Sequence, residues 1–163
     1  LLLPNRSKSS IYHRAQHLGL VFHRNEMTSP EVQVKIYLQK LGINFSRPSL
    51  PTGRLTKKGK QEIFKPDFFI EPNLVIEVQG DFYHCNPLKY PVPKYSFQEK
   101  IMLKDKYKAL VYKELNLDVL FIWESDCMST EALRSKIDAF IDSVAEVKSL
   151  ELLETSQAFN PTT

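Results

Sequence analysis

Residues 65–84, KPDFFIEPNLVIEVQGDFYH, decide the fold. Phe68–Ile70 and Leu74–Gln79 read as two strands, and Glu71-Pro72-Asn73 reads as the turn between them. In the second strand Glu77 and Gln79 are two residues apart, so both leave the same face. Leu74, Ile76 and Val78 leave the opposite face, into a core. Asp67 opens the partner strand. An acidic strand face beside such an Asp suits a divalent cation, because Mg²⁺ takes carboxylate and carbonyl oxygens. A half-buried strand whose polar face meets water gives the same pattern residue by residue; the combined spacing favours the cation. Gly80 permits a sharp bend, and His84 then comes off the strand end. A histidine beside a metal and a phosphate can act as general base or acid.

Downstream, residues 85–95 carry Pro87, Pro91 and Pro93 and are not regular structure. Gln98 to about Leu115 reads as a long lysine-rich helix with Leu103, Tyr107 and Leu110 as its apolar stripe. Asp105 lies opposite that stripe, where a solvated residue would also sit. Asp118–Trp123 is a buried strand, and Ser129 caps a last helix to about residue 148. A strand, a crossover helix and a second strand make parallel neighbours. The hairpin strand then forms an antiparallel edge. The predicted fold class is α/β, a mixed β-sheet flanked by helices.

Upstream, Ser29 caps a helix with Pro30 at its first position and Glu31 in its first turn. Val32, Ile36 and Leu38 to Leu41 form its apolar face, and Gly42 stops it. Ile43–Phe45 is a short strand. Residues 46–62, SRPSLPTGRLTKKGKQE, read as a long basic loop of a kind that is usually functional or disordered. Residues 5–19 read as a short helix with Ile11, Ala15 and Leu18 on its apolar stripe and Arg14 off it. His13 and His17, spaced i and i+4, read as part of a polar helix face.

The chain has 163 residues, one domain's worth with a short appendage. A composition 42% hydrophobic and 25% charged excludes a fully disordered chain. No apolar run approaches the roughly 18 residues of a membrane span, so no membrane partner is expected. Leu1-Leu2-Leu3 is too short for a signal-peptide core, and a chain opening on Leu is expected to be a fragment of a longer one. Cys85 and Cys127 make no disulfide framework and point to a reducing compartment. Residues 1–66 hold 12 Lys/Arg against 3 Asp/Glu, whereas residues 67–163 hold 10 against 16. The basic first part points to a polyanion, most often nucleic acid.

Taken in order, TSPE (Thr28–Glu31), PDF with Asp67, VIEVQG, GDFYH, KD with Asp105 and VLFIWE (Val119–Glu124) carry a resemblance. Over about Thr28–Asp126 the chain resembles the very-short-patch-repair (Vsr-like) nucleases, and most closely the phage-intron homing endonucleases of the EDxHD group. The resemblance implies a restriction-endonuclease-like core and a metal-dependent DNA endonuclease. It implies Glu31 as the first acid, Asp67 as metal ligand, and Gln79 as the variable position whose backbone carbonyl can reach the metal. It further implies His84 as the catalytic histidine and Asp105 as the acid behind it. Glu77 with Gln79 offers a rival, restriction-type layout, in which Gln79 stands where a lysine would be. The repair enzymes carry a structural zinc near this histidine. Here Asp81 stands where one of those ligands would be, Ser125 follows Trp123-Glu124, and Cys85 and Cys127 alone cannot complete a four-coordinate site, so no structural zinc is expected.

The expected organisation is an N-terminal helix and linker over 1–27, a catalytic domain over 28–150 and a frayed tail over 151–163. The first of these resembles the end of a small helical DNA-binding module. The expected cofactor is Mg²⁺ or Mn²⁺, and the expected partner is double-stranded DNA, contacted by Arg14, Arg47, Arg54, Lys57, Lys58 and Lys60. The expected location is the cytoplasm of a bacterial host. A homodimer through Leu150, Leu152, Leu153 and Phe159 would supply two active sites for two strands. The competing readings are a non-catalytic DNA-binding protein on a decayed nuclease fold, a Vsr-like repair nicking enzyme, and an RNA or tRNA nuclease.

Overall fold

The hairpin expected over residues 65–84 organises the sheet. In the computed structural model, which describes residues 27–158 together with Arg14 and Leu18, with side chains through residue 146, β3 (Phe68–Ile70) pairs antiparallel with β4 (Leu74–Gln79). β4 pairs in parallel with β5 (Asp118–Trp123), in the register Leu74 to Asp118 through Gln79 to Trp123. The connection between them is α2 (Ser96–Glu114). Helix α1 (Ser29–Lys40) precedes the sheet, and α3 (Thr130–Ala158) follows a short 3₁₀ turn at Asp126–Met128. The architecture is a mixed α/β one. Among the described residues no helix is long and apolar enough to cross a membrane.

Alternation along β4 divides the core in two. Leu74 and Ile76 pack with Val34 and Leu38 of α1, Ile122 of β5, and Leu133 and Ile137 of α3. Val75 goes to the other side, with Phe69, Phe64, Val111 and Tyr112. Glu77 continues the Val75 side and meets Tyr112 there. Helices therefore cover both faces of the sheet.

The turn chemistry is local and visible. Helix α1 ends at Leu41, after which Gly42 takes φ +70°. The Gly42 N–H donates to the Gln39 carbonyl and the Ile43 N–H to the Leu38 carbonyl, so two carbonyls at the helix end are satisfied. Asn116 plays the same part after α2, at φ 55°, with its N–H on Lys113 and the Leu117 N–H on Tyr112. Ser129 caps α3 as expected, its hydroxyl accepting the Ala132 N–H at 3.2 Å.

Several expectations need correction. The cap of α1 is Thr28, one residue before Ser29. Ile43–Phe45 is not a strand; the residue after it, Ser46, makes an isolated antiparallel bridge to Phe69. Residues 46–62 are not one loop, because β1 (Leu50–Leu55) and β2 (Gln61–Phe64) form a separate two-stranded antiparallel ribbon. Pro51 and Gly53 disguise the first strand, and a ribbon that buries only Thr52 and Phe64 leaves little hydrophobic alternation to read. Leu38 and Tyr107 face the core as expected, but the rest of the expected apolar faces of α1 and α2 is displaced. On α2, Leu103 and Leu110 are 66% and 61% exposed, and the buried residues are Gln98, Val111 and Tyr112. On α1, Ile36 is 54% exposed while Val34, Tyr37 and Leu38 are buried. Tyr37 tolerates that face because its hydroxyl donates to Asp138 of α3 at 2.7 Å.

Helix α3 runs to Ala158, past the residue 148 and the tail from 151 that were expected. The N-terminal helix over 5–19 falls outside the described residues apart from Arg14 and Leu18, where the Leu18 N–H donates to the Arg14 carbonyl at 3.1 Å. The side chains of Leu150, Leu152 and Leu153, and all of Phe159, lie outside the described residues.

Gly42 gives a direct check on the helix terminus. A methyl group there would meet nothing within 4 Å, so its cost is purely one of backbone conformation. Gly42→Ala is expected to lower stability by about 1–2 kcal/mol, read from urea unfolding with an unchanged slope.

Candidate active site

Register brings the two central acids together. Phe68 faces Ile76 across the hairpin, so the next pair outward is Asp67 opposite Glu77, on one face of the sheet. Like charges so placed repel. The Asp67 carboxylate takes up the ladder where β3 ends: its Oδ2 accepts the Val78 N–H at 2.8 Å. Arg47 closes the other side, donating its Nε–H to the Asp67 carbonyl at 2.8 Å while its NH2 lies 2.9 Å from Glu31 and 3.5 Å from Asp67 Oδ1. Glu31 in turn accepts the Thr28 N–H at 3.2 Å, which fixes the first turn of α1. Glu31, Arg47 and Asp67 thus form a chain from α1 to the hairpin.

Glu77 faces α2. Lys108 Nζ lies 2.6 Å from its Oε1, and the Tyr112 hydroxyl donates to the same oxygen. One turn earlier on the same helix, Asp105 Oδ2 lies 2.6 Å from His84 Nδ1. Asp105, Lys108 and Tyr112 are spaced i, i+3 and i+7, so they form one helical stripe against the strand. The Cβ atoms of Asp105 and Lys108 are then about 5–6 Å apart. The His84–Asp105 pair and the Lys108–Glu77 pair are neighbours through this helix.

Contacts made by His84, Gln98 and Asp81 hold the loop that carries His84. The His84 N–H donates to the Gly80 carbonyl at 3.0 Å. Buried Gln98, at the start of α2, donates its Nε2 to the Phe82 carbonyl at 2.6 Å. Asp81 accepts from Asn86 Nδ2 at 2.8 Å, Ser125 Oγ at 3.0 Å and Lys89 Nζ at 2.6 Å. Burial pushes the Asp81 carboxyl up, but those hydrogen bonds together outweigh it and leave it below the ordinary value. Hydrogen bonds thus tie the position where the resemblance would put a zinc ligand. Cys127 nearby is a free thiol, pushed up to about 11 first by burial and then by Asp126, Asp81 and Glu124. It stays protonated at neutral pH.

The expected site residues therefore divide. Glu31 reaches Asp67 through Arg47, Glu77 is held from α2 by Lys108 and Tyr112, and one turn earlier on that helix Asp105 holds His84. The Gln79 carbonyl accepts the Glu124 N–H at 2.8 Å. Arg54 is held by Glu114 at 2.8 Å and lies over the Tyr107 ring at 5.1 Å. Lys57, Lys58 and Lys60 sit exposed at the tip of the β1–β2 ribbon, without an ion pair among the described residues. Arg14 is exposed. Lys108 and Tyr112 are the additions. Their spacing from Asp105 is the available signal, masked by the apolar Leu103 and Leu110, which the structure leaves exposed.

No protein-family model matches the chain, and no curated protein matches it. Geometry and electrostatics carry the reading. Among the described residues no three His, Cys, Asp or Glu side chains converge on one metal-sized position. The donor set is two carboxylates, and Mg²⁺ is commonly bound through one or two carboxylates, with waters and substrate phosphates completing its shell. Asp67 Oδ1 and Glu77 Oε2 are the oxygens not used by the Val78 N–H or by Lys108 and Tyr112. Glu31, Asp67 and Glu77 carry three negative charges against two positive ones on Arg47 and Lys108. The residual negative charge and oxygen-only donors fit a hard divalent cation.

Both central carboxyls are held above their ordinary values. Burial is the largest cause at Asp67, opposed by the Val78 N–H and reinforced by Glu31; burial is also the largest at Glu77, opposed by Lys108. The folded protein thus holds the Asp67 proton more tightly than the unfolded chain, whose value is near 3.8. This contribution to stability is full below 3.8 and is lost as pH rises through the raised folded value. Asp67→Asn keeps an oxygen for the Val78 N–H and removes the charge. In metal-free buffer it is expected to melt above wild type at neutral pH, with the gap closing as pH falls toward 3.8. Thermal melts across pH test this; a variant that melts below wild type throughout would contradict it.

Proposed function

We propose that the protein is a divalent-metal-dependent endonuclease acting on double-stranded DNA, with a nuclease-like α/β core. The observation that carries this reading is that Glu77, next to Asp67, is held by Lys108 of α2, one helical turn after the Asp105 that holds His84. Asp67 and Glu77 would hold Mg²⁺ or Mn²⁺. When bound, such a cation offsets charge on phosphoryl oxygens and makes a bound water a better nucleophile.

The chain's own residues supply the rest. Asp105 accepts the Nδ1–H of His84 and fixes the ring, which leaves Nε2 to take a proton from water or give one to the leaving oxygen. Glu31 anchors Arg47 beside Asp67, which makes it a positioning residue in this arrangement. Lys57, Lys58 and Lys60 at the ribbon tip are cations available for phosphates, a contact that positions DNA without reading its sequence. Exposed Tyr83, Tyr95 and Phe97 beside His84 add a surface on which bases can stack. Phage-intron homing and cytoplasmic action on host DNA are the finer form of the same reading, which rests on the resemblance.

Plasmid DNA incubated with Mg²⁺ or with EDTA tests it. Cleavage is expected only with the metal. Asp67→Ala is expected to abolish cleavage while DNA binding survives, and His84→Ala to slow it by about 10²–10⁴-fold. Glu77→Gln is expected to fall close to Asp67→Ala. DNA binding without cleavage under any divalent metal would favour the decayed nuclease, and cleavage confined to RNA would favour the ribonuclease.

A further inference from the structure

The endonuclease reading leaves Lys108 without a role, and its position is unusual. An ammonium group on a helix in a lysine-rich stretch ordinarily extends into water. Lys108 does not: its side chain is 18% exposed and is drawn inward to Glu77, whose side chain is 8% exposed. It also lies 5.5 Å from the centre of the Tyr112 ring, which offers it a second electrostatic partner. Its direct partner is Glu77, the neighbour of Asp67, so its charge is set at the acid pair.

We propose that Lys108 is an internal counter-ion that competes with the divalent cation for the Asp67–Glu77 pair. In the metal-free protein its positive charge offsets the repulsion between the two carboxylates and stabilises their shared face. A cation bound between Asp67 and Glu77 meets this like charge at close range and displaces it from Glu77. The freed ammonium stays tethered to α2 one turn from Asp105, beside the same face, where an incoming phosphate is its natural new partner. Metal binding is weakened by Lys108 when no DNA is present, and DNA phosphate relieves the competition by drawing the ammonium away. The site would thus hold its metal tightly only when substrate is there. This rests on the metal site proposed above.

The test is calorimetric titration of Mn²⁺ into DNA-free protein, comparing wild type with Lys108→Met, which keeps the length of the side chain and removes its charge, and with Lys108→Arg, which keeps the charge. Lys108→Met is expected to bind Mn²⁺ at least about tenfold more tightly than wild type, and Lys108→Arg to stay within a few-fold of wild type. Circular dichroism on each variant confirms that the fold is kept; should Lys108→Met not fold without metal, Lys108→Gln takes its place. Equal or weaker binding in a folded, neutral variant would overturn the proposal while leaving the metal site standing. Absence of Mn²⁺ binding in both wild type and the neutral variant would overturn the metal site and the proposal with it. Binding seen only in the neutral variant would support the competition directly.

Discussion

Two carboxylates set opposite each other on an antiparallel strand pair repel, and the structure around β3 and β4 is arranged about that repulsion. The Val78 N–H takes one oxygen of Asp67, and Arg47 brings a positive charge from the sheet edge. Lys108 and Tyr112 take one oxygen of Glu77 from the helix side. These partners fix the roll of α2 about its axis, because only one stripe of the helix can offer both. The same roll brings Asp105 onto His84. Exposure of Leu103 and Leu110 follows: the inner face of α2 is used to balance charge, and two leucines go to solvent.

The loop bearing His84 shows a second device, polar groups used as fasteners. Gln98 ties it to the first turn of α2 through the Phe82 carbonyl, and its own Oε1 accepts the N–H groups of Lys94 and Tyr95 at the cap of that helix. Asp81 ties the loop to the end of β5 through Ser125 and to the following turn through Asn86. Each bond involves groups that are buried or partly buried, where breaking one leaves a polar atom without water. His84 is thus held from the strand, from the helix cap and from β5, which leaves little freedom in where its ring can sit.

The legible part of this fold was what alternation and crossover rules fix. Phe68–Ile70, Leu74–Gln79 and Asp118–Trp123 occur as read, because each strand is short, apolar and bounded by turn residues. The parallel relation of β4 and β5 follows from the helix between them. The positions of Asp67, Glu77 and His84 follow from those strands, because they lie on or just beyond them. What failed was the phase of the helices. Apolar residues were assigned to the inner face, yet α2 buries Gln98 and half-buries Asp105 and Lys108, while α1 buries Tyr37 against Asp138. Periodicity of hydrophobic residues cannot find a face whose burial is compensated by ion pairs and hydroxyl bonds. The β1–β2 ribbon escaped for the related reason that its two strands, LPTGRL and QEIF, bury little. Arg47 and Arg54 looked like free cations in a basic loop; their acidic partners, Glu31 and Glu114, are 16 and 60 residues away in sequence.

The most direct measurement is paramagnetic broadening of backbone amide signals by substoichiometric Mn²⁺ in the DNA-free protein. A single site between Asp67 and Glu77 requires the amides of Asp67, Glu77 and Val78 to broaden first and those of His84, Asp105 and Lys108 next, with the ribbon tip at Lys57–Lys60 unaffected. Broadening scattered over exposed acids such as Glu71 and Glu131, with the amides of Glu77 and Val78 still sharp, would contradict a metal centre on this strand pair.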